Sequence, residues 1–152
     1  MSSAVQNIKV LNNNPFILTA LIPAFYSTVE SRVNNFVLAY LVFPLVLPSQ
    51  SRRFLINIRN NSSLHTLARN RKNIYGLQER VANYRKLTNA CIQYSVDSEL
   101  ISVENDLSVS FKKNFSDDIC PENSIKAAKN LGKLLGKFDI PTVYRRLGVK
   151  EL

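Results

Sequence analysis

The hydrophobic pattern of this chain changes its period near residue 98, from helical spacing to strict alternation. Over about 74–96, apolar or small side chains recur every three or four residues, at Ile74, Leu77, Val81, Tyr84, Thr88 and Cys91. From 100 to 112, apolar and polar side chains alternate on either side of Asn105-Asp106. A period of about 3.6 indicates an amphipathic helix, whereas a period of about 2 indicates strands. The sequence therefore predicts a long helix over about 74–96 and a β-hairpin over 100–112, with Asn105-Asp106 as its turn.

The N-terminal third of the chain predicts two buried elements. Asn14-Pro15 is typical of a helix start, because Asn caps well and Pro suits the first helical position. This helix is expected to run from Phe16 to about Glu30, with a kink at Pro23, which lacks a backbone N–H. The next run, 36–47, is apolar on all sides and is expected to be a fully buried core element. Its twelve residues fall short of the roughly twenty that a membrane-spanning helix needs, so no membrane partner is expected.

Two short helices are predicted between residues 49 and 69. Ser49 is expected to cap a helix over 50–58. The side chains of this helix that are expected to face the core are Phe54, Leu55 and Ile58. The polar run 60–63 then forms a turn and a second cap, which opens a helix over about 64–69.

The C-terminal part predicts one long helix followed by one short helix. Pro121-Glu122 opens the long helix, over about 122–138, and Asp139-Ile140-Pro141 ends it. Gly148 is the expected C-terminal stop of the short helix that follows. The inner face of the long helix is expected to consist of Ile125, Ala128, Leu131, Leu134, Leu135 and Phe138.

The order of these elements favours an α+β, mainly helical fold. Short helices, a long helix, a two-stranded hairpin and C-terminal helices follow one another as they do in a winged-helix-like domain. The 152 residues suffice for one domain with a genuine core. The sequence therefore predicts a single domain over 1–152, with an N-terminal helical part (12–58), a winged-helix-like part (62–112) and C-terminal helices (121–148).

One segment carries nearly all of the net charge of +9. Residues 50–90 hold nine basic residues against Glu79 alone, a net of +8, whereas 1–48 have a net of +1 and 91–152 a net of zero. Such a patch favours a nucleic acid or an acidic protein as its partner. The residues of this segment that are expected to make these contacts are Arg52, Arg53, Arg59, Arg69, Arg71, Lys72 and Lys86. The alternative interpretation is a solvated basic face.

Two further groups of basic residues have defined positions on the predicted helices. Arg80 and Arg85 fall on opposite borders of the apolar stripe of the 74–96 helix. Arginines at such borders bury their stems and pair with carboxylates, so these two are expected to be subunit contacts or structural residues. Four lysines share one outer face of the C-terminal helix and are expected either to contact nucleic acid or an acidic partner, or to form a solvated face. This lysine stripe consists of Lys126, Lys129, Lys133 and Lys137.

The residue inventory predicts neither a catalytic centre nor a cofactor site. The one histidine, His65, is expected to be a surface or structural residue, and a Ser or Cys nucleophile would need it as a partner. The four glycines form no phosphate-binding loop, and Gly132 and Gly136 are expected to allow close helix packing instead. The acidic pairs are expected to be turn formers and solvated charges: Asp97 and Glu99, Glu104 and Asp106, and Asp117-Asp118.

The two cysteines indicate the compartment. Cys91 and Cys120 lack the spacing of a zinc site or of a disulfide framework. The N-terminus shows no basic region followed by an apolar one, so no signal peptide is expected. The chain is therefore expected to be cytoplasmic, with both thiols reduced.

Several segments resemble one protein family in their order and spacing. They are Asn13-Asn14-Pro15, the run 41–47 (LVFPLVL), Glu79-Arg80 followed by 84–88 (YRKLT), and 127–132 (AAKNLG). Together they cover roughly residues 12–150 and resemble the middle component of bacterial three-component ABC systems. Arg80 and Arg85 match the family motif, and the family has no catalytic residues to carry over.

The resemblance implies a role that composition does not show. Such middle components are encoded beside a Rad50-like or SMC-like ABC ATPase and an effector subunit, often a nuclease, in systems that resemble Lamassu-type anti-phage defence. The chain would then be an accessory subunit that bridges the ATPase heads and the effector, and helps couple DNA sensing to effector activation. It would contact DNA directly or through the complex. The alternative is a stand-alone winged-helix DNA-binding regulator, whose 74–96 helix would read bases.

Overall fold

The described chain consists of short helices, one long helix and a hairpin. The structure is a computed structural model, and it describes residues 15–115 and 120–152. In chain order its elements are α1 (Pro15–Leu18), α2 (Leu21–Tyr26), the 3₁₀ helix η1 (Asn35–Leu41), α3 (Val42–Val46), α4 (Ser49–Ile56), α5 (Leu64–Arg69), α6 (Arg71–Ile74), α7 (Leu77–Asp97), β1 (Ile101–Val103), β2 (Val109–Phe111), α8 (Glu122–Leu135) and α9 (Ile140–Leu147). The predicted α+β, mainly helical fold is confirmed. The winged-helix-like assignment stays a prediction.

The core lies where α8 meets the short N-terminal helices. α8 packs against α2 and α4, while α7 packs against η1 and α3. These contacts bring together fully buried side chains, among them Phe25, Phe43, Leu131 and Leu135. Burying a large apolar side chain contributes about 1.5–3 kcal/mol relative to leaving it exposed. The layers built on α7 and α8 therefore supply much of the stability that holds the surface residues in place.

α8 approaches the α2 segment closely at Gly132. A Cβ atom at this position would lie 2.1 Å from Thr28 Oγ1 and 2.5 Å from the carbonyl oxygen of Phe25. Thr28 Oγ1 donates a hydrogen bond to the Lys129 carbonyl at 2.8 Å, which joins the two segments at the same place. The predicted close packing is therefore confirmed at Gly132, because any side chain there would overlap its neighbours.

The predicted helix over 16–30 is wrong in its continuity and in its end. The chain forms α1 and α2 with a break at Thr19 and Ala20, and α2 ends at Tyr26. Pro23 explains the break, because a continuous helix would need an N–H at Pro23 to reach the Thr19 carbonyl. Instead Ile22 N donates to Thr19 O at 3.1 Å, and Pro23 lies in the first turn of α2. The predicted cap, Asn14, lies outside the described residues.

The apolar run 36–47 is helical, but one of its faces reaches the surface. Its first part is η1 and its second part is α3. Residues 41–46 are buried, whereas Phe36, Val37 and Tyr40 are partly exposed, so the prediction of a fully buried element is wrong for this face. In the described ranges, no helix combines the length and the apolar composition that crossing a bilayer requires.

The capping predictions differ between α4 and α5. Pro48, with ψ of 135°, is the N-cap residue of α4, and Ser49 is already helical, so the predicted Ser49 cap is wrong. Pro48 is suited to this place because its ring fixes φ near −64° and it has no N–H that would need a partner at the start of the helix. For α5 the prediction is confirmed, since the Ser63 side chain accepts from Thr66 N and the Thr66 hydroxyl accepts from Ser63 N.

Glycine and aspartate set the ends of the later helices. Gly76 has a φ of +69°, so the helical stripe is interrupted there, and Ile74 belongs to α6 rather than to α7. α8 ends before Phe138, which was predicted to be helical, while Asp139 caps α9 by accepting from Thr142 N at 3.3 Å. Gly148, with a φ of +73°, ends α9 as predicted.

The predicted hairpin is confirmed, and one side chain attaches it to η1. Ile101 pairs with Phe111, and Val103 with Val109, in an antiparallel ladder. The buried amide of Asn35 accepts from Val109 N at 2.6 Å and donates to Val109 O at 3.3 Å. Asn35 therefore satisfies the edge of the hairpin as a third strand would, and it fixes the hairpin against the start of η1.

Candidate functional site

Arg52, the first basic residue of the 50–90 segment, makes contacts within the fold. Its side chain is half-buried, and Nη1 donates to the carbonyls of Leu47 at 2.5 Å and Val46 at 3.5 Å. These carbonyls lie at the C-terminal end of α3, where unpaired carbonyls favour a cation. Arg52 is therefore engaged in stabilising the end of α3.

Arg80 joins α7 to two other parts of the chain. Its Nε donates to the Pro44 carbonyl at 3.1 Å, its Nη2 to the Asn73 carbonyl at 3.4 Å, and its Nη1 to the Tyr75 carbonyl. Burial lowers the pKa of its guanidinium below the usual value. All three acceptors are backbone oxygens, so the half-buried charge is satisfied by the fold and not by a carboxylate.

The remaining basic residues of the segment face solvent. Arg85 is exposed, and its Nη1 donates to the Leu152 carbonyl at 3.1 Å. The other predicted contact residues are exposed as well: Arg53, Arg59, Arg69, Arg71, Lys72 and Lys86. Their charges are therefore accessible to a ligand.

One arginine of this segment meets the lysine stripe of α8 at a pocket, which we call the basic pocket. It is a concavity of about 360 Å³ between the end of α4, the loop that follows it, and α8. Its cationic lining residues are Arg59, Lys126, Lys133 and Lys137, and none of its described lining residues is acidic. Two basic regions that are far apart in the sequence thus converge on one site.

The rim and floor of the basic pocket are held by hydrogen bonds. Asn130 is 7% exposed, and its Nδ2 donates to the Leu55 carbonyl at 2.7 Å, which ties α8 to α4. On the rim, Arg59 N donates to Ser62 Oγ at 2.8 Å. The backbone that carries the cations is therefore held in place, while their long side chains keep the freedom to adjust.

Lys129 belongs to the lysine stripe but not to the pocket. It is half-buried, and its carbonyl accepts the hydrogen bond of Thr28 at the contact between α2 and α8. Lys126, Lys133 and Lys137 are exposed. The predicted stripe thus divides into three solvent-facing charges at the pocket and one charge beside the helix contact.

The chemistry that this arrangement offers is the binding of anions. Clustered ammonium and guanidinium groups attract phosphates and carboxylates, and the guanidinium of Arg59 matches either group with two parallel donors. Among the described residues, no three His, Cys, Asp or Glu side chains are grouped so that they could hold a metal ion.

The other polar candidates lie away from the basic pocket. His65 is exposed, and its Nδ1 is 3.4 Å from Arg146 Nη1. Asp106 accepts from Ser108 N at 3.0 Å, and hydrogen bonds from Ser108 hold the pKa of this carboxyl below its usual value, as expected for a turn former. The pair Asp117-Asp118 lies outside the described residues.

Both cysteines are buried thiols. Burial raises the pKa of Cys91 and of Cys120 to about 11, and at Cys91 a hydrogen bond with Thr19 opposes the shift. A thiol with such a pKa is protonated at neutral pH and is a poor nucleophile. The two cysteines therefore act as small apolar core residues.

Tyr75 is a surface feature that the hydrophobic period does not predict. Its side chain is 83% exposed, and the neighbouring Arg71 and Lys72 are exposed too. The signal available in the sequence is an aromatic residue directly before Gly76, within a run, 57–78, that contains no acidic residue. An aromatic ring among cations is a pattern found in nucleic-acid-binding surfaces.

One of the comparisons with known proteins identifies a family. Residues 2–151 match the family model described as ABC-three component (ABC-3C) system Middle Component 3. No curated protein and no solved structure matches the chain. The matched range includes Arg80, the basic pocket and Tyr75. Because the match spans nearly the whole sequence, the chain belongs to the family of middle components of ABC-three component systems.

Proposed function

We propose that this chain is a non-catalytic assembly subunit that binds an SMC-like ABC ATPase and an effector subunit in a Lamassu-type anti-phage defence complex. In this role it bridges the ATPase heads and the effector, and it helps couple DNA sensing to effector activation. The observation that carries the proposal is the basic pocket, in a chain that the family match places in a multi-component system.

The basic pocket is suited to an anionic surface of that complex. Like charges that are gathered on one side of a protein raise its electrostatic energy, and an anionic ligand relieves this repulsion. The ligand is either the phosphate backbone of DNA or an acidic patch of the ATPase. Binding of either ligand is compatible with a subunit that helps couple DNA sensing to effector activation.

The proposal leaves the chemistry to the partners. Arg52 and Arg80 donate to backbone carbonyls, and the three pocket lysines face solvent. ATP hydrolysis and effector chemistry are then expected only from the other two subunits. Measurable ATP hydrolysis or nuclease activity of this chain alone, abolished by a point substitution within it, would contradict this part.

The test compares two triple variants that change the net charge equally. The pocket variant carries Lys126→Glu, Lys133→Glu and Lys137→Glu. The control carries Lys112→Glu, Lys113→Glu and Lys150→Glu, three exposed lysines outside the pocket lining. Each is co-expressed with the neighbouring ABC ATPase and effector, and complex formation and DNA binding are measured.

We expect the pocket variant to lose the ATPase or the DNA, and the control to keep both. The melting temperatures of the two variants should stay close to that of the unaltered chain, because exposed charges contribute little to stability. If the two variants bind the ATPase and DNA equally well, the basic pocket is not part of the interface. Failure of the unaltered chain to co-elute with the ATPase would refute the proposal as a whole.

A further inference from the structure

Tyr75 presents nearly its whole ring to solvent. It is 83% exposed, whereas Tyr26 in the core is 1% exposed and the exposed apolar residue Val33 is 59% exposed. Exposing an aromatic ring of this size forgoes the stabilisation that burial would give. An exposed ring near cations in the sequence is the pattern of a surface on which bases stack, which makes Tyr75 a candidate for contact with a ligand.

Hydrogen bonds around Tyr75 hold its backbone at a fixed position. Tyr75 N donates to the Arg71 carbonyl at 2.8 Å, and the Tyr75 carbonyl accepts from Arg80 Nη1. Asn73, two residues earlier, is 1% exposed and donates from Nδ2 to the Leu67 carbonyl at 3.1 Å. A backbone that is already ordered loses little further entropy when the site binds a ligand.

Three exposed cations lie within six residues of Tyr75 in the sequence. Arg69, Arg71 and Lys72 are exposed at the same corner. The bond from Tyr75 N to the Arg71 carbonyl continues the helical turn, so the two side chains lie one turn apart on one face, with Cβ atoms about 5–6 Å apart. We call residues 69–76 the Tyr75 corner.

We propose that the Tyr75 corner binds single-stranded nucleic acid. An unpaired base stacks on the Tyr75 ring, and the adjoining phosphates pair with Arg69, Arg71 and Lys72. Aromatic rings flanked by cations bind single strands because every base has a face to stack, whereas bases inside a duplex are already stacked on each other. The inference deepens the proposed function, on which it rests for its setting, by naming the form of DNA that the subunit recognises.

The surroundings of Tyr75 favour nucleic acid over a protein partner. At the centres of protein interfaces tyrosine and arginine are enriched, but charged residues as a whole are depleted, so three cations beside one ring without a neighbouring acid are not typical of such a centre. Here the neighbours Arg69, Arg71 and Lys72 are all cationic, and no acidic residue occurs over 57–78. Such a surface matches a phosphate chain with unpaired bases.

Binding of a short fluorescent oligothymidylate to the full chain, followed by anisotropy, tests the proposal. Tyr75→Ser should weaken binding about ten- to a hundredfold, the expected loss of one base stack. Tyr75→Phe keeps the ring and should bind within a few-fold of the unaltered chain. Val33→Ser, at an exposed apolar position outside the corner, is the matched control and should leave binding unchanged.

The salt dependence separates stacking from charge. Arg71→Ser removes one phosphate contact and should reduce the slope of log affinity against log salt by about 0.7. Tyr75→Ser should lower affinity at every salt concentration and leave this slope unchanged. Because both side chains are exposed, far-UV circular dichroism should show the same melting temperature for all variants.

Two outcomes would overturn the inference. The first is oligothymidylate affinity that Tyr75→Ser does not reduce; if this variant also loses the ABC ATPase, Tyr75 is a subunit contact and the proposed function stands. The second is an equal reduction for an intact duplex, whose bases cannot stack on the ring. Conversely, Tyr75-dependent binding by a chain that never joins the ATPase would refute the proposed function alone.

Discussion

Replacing Gly132 by alanine tests the packing on which the described fold depends. A Cβ there would lie 2.1 Å from Thr28 Oγ1 and 2.5 Å from the Phe25 carbonyl oxygen. In an open helix the change would stabilise by about 1 kcal/mol, since alanine is the better helix former. Overpacking costs about 1–3 kcal/mol, and displacing the hydroxyl that bonds to the Lys129 carbonyl costs about 1 kcal/mol more. The Phe25 oxygen belongs to the backbone and cannot rotate away, so we expect a net loss of about 2 kcal/mol.

Urea unfolding followed by far-UV circular dichroism measures this loss directly. In a domain of this size the melting temperature should also fall by about 4–8 °C. Lys133→Ala is the matched control, because it changes the adjacent exposed residue of the same helix and should stay within about 0.5 kcal/mol of the unaltered chain. Adding Thr28→Ala to Gly132→Ala removes the closer of the two clashes, so the double variant should lose less than the sum of the single losses.

The sign of the change in the free energy of unfolding tests the packing of α8 against α2. If Gly132→Ala is as stable as the unaltered chain, or more stable, then α8 does not approach Thr28 as described. The helix propensity of alanine would in that case be the only effect present. The contact of α2 with α8, and the position of the lysines that α8 carries, would have to be revised.

Three further substitutions test other parts of the fold. Arg80→Met should lower the free energy of unfolding in urea by about 2 kcal/mol, because three backbone carbonyls lose a charged donor. Arg53→Met, at an exposed position, is the control and should lower it by less than about 0.5 kcal/mol. Equal losses for the two variants would contradict the contacts of Arg80. Asn35→Ala should cost about 2–4 kcal/mol and speed amide exchange at Val109, whereas unchanged protection would mean that the hairpin does not need this side chain. Burial raises the pKa of Cys91 and of Cys120 from an ordinary 9.0 to about 11, so the folded chain binds these thiol protons more tightly than the unfolded chain does. The two thiols therefore contribute fully to the free energy of unfolding below pH 9, and this contribution is lost as the pH rises to about 11. The variant Cys91→Ala/Cys120→Ala should flatten that decline, and an unchanged slope would contradict the burial of the thiols.

The sequence predicts those parts of the fold that depend on neighbouring residues. The alternation over 100–112 gives the hairpin, the polar run before Leu64 gives the cap at Ser63, and Gly148 gives the end of α9. Each signal acts through contacts a few residues apart, so a single sequence contains it completely. Predicted boundaries shift where two local signals compete, as at Gly76, whose positive φ interrupts a stripe that otherwise extends to Ile74.

The candidate site could be predicted only in part, because its assembly depends on tertiary contacts. The lysine stripe follows from the helical period of α8, but nothing local to Arg59 indicates that it lies beside those lysines. Asn130 fixes this relation by donating to the Leu55 carbonyl, which lies far away in the sequence. Tyr75 likewise becomes a candidate only once its exposure is known, since tyrosines are buried and exposed with similar frequency.

The net charge of the 50–90 segment is larger than the number of cations that this segment leaves free to bind a ligand. Three of its nine basic residues, Arg52, Arg80 and Arg85, donate to backbone carbonyls, so their guanidinium groups are already partly engaged. Of the six that remain, Arg59 lines the basic pocket, Arg69, Arg71 and Lys72 lie near Tyr75 in the sequence, and Arg53 and Lys86 belong to neither site. The pocket offers cations without an aromatic ring and suits phosphates or carboxylates in general, whereas the corner combines cations with a ring and suits unpaired bases. Arg80 links structure to function in this division, because the same guanidinium that holds α7 to α3 also holds the backbone that presents Tyr75.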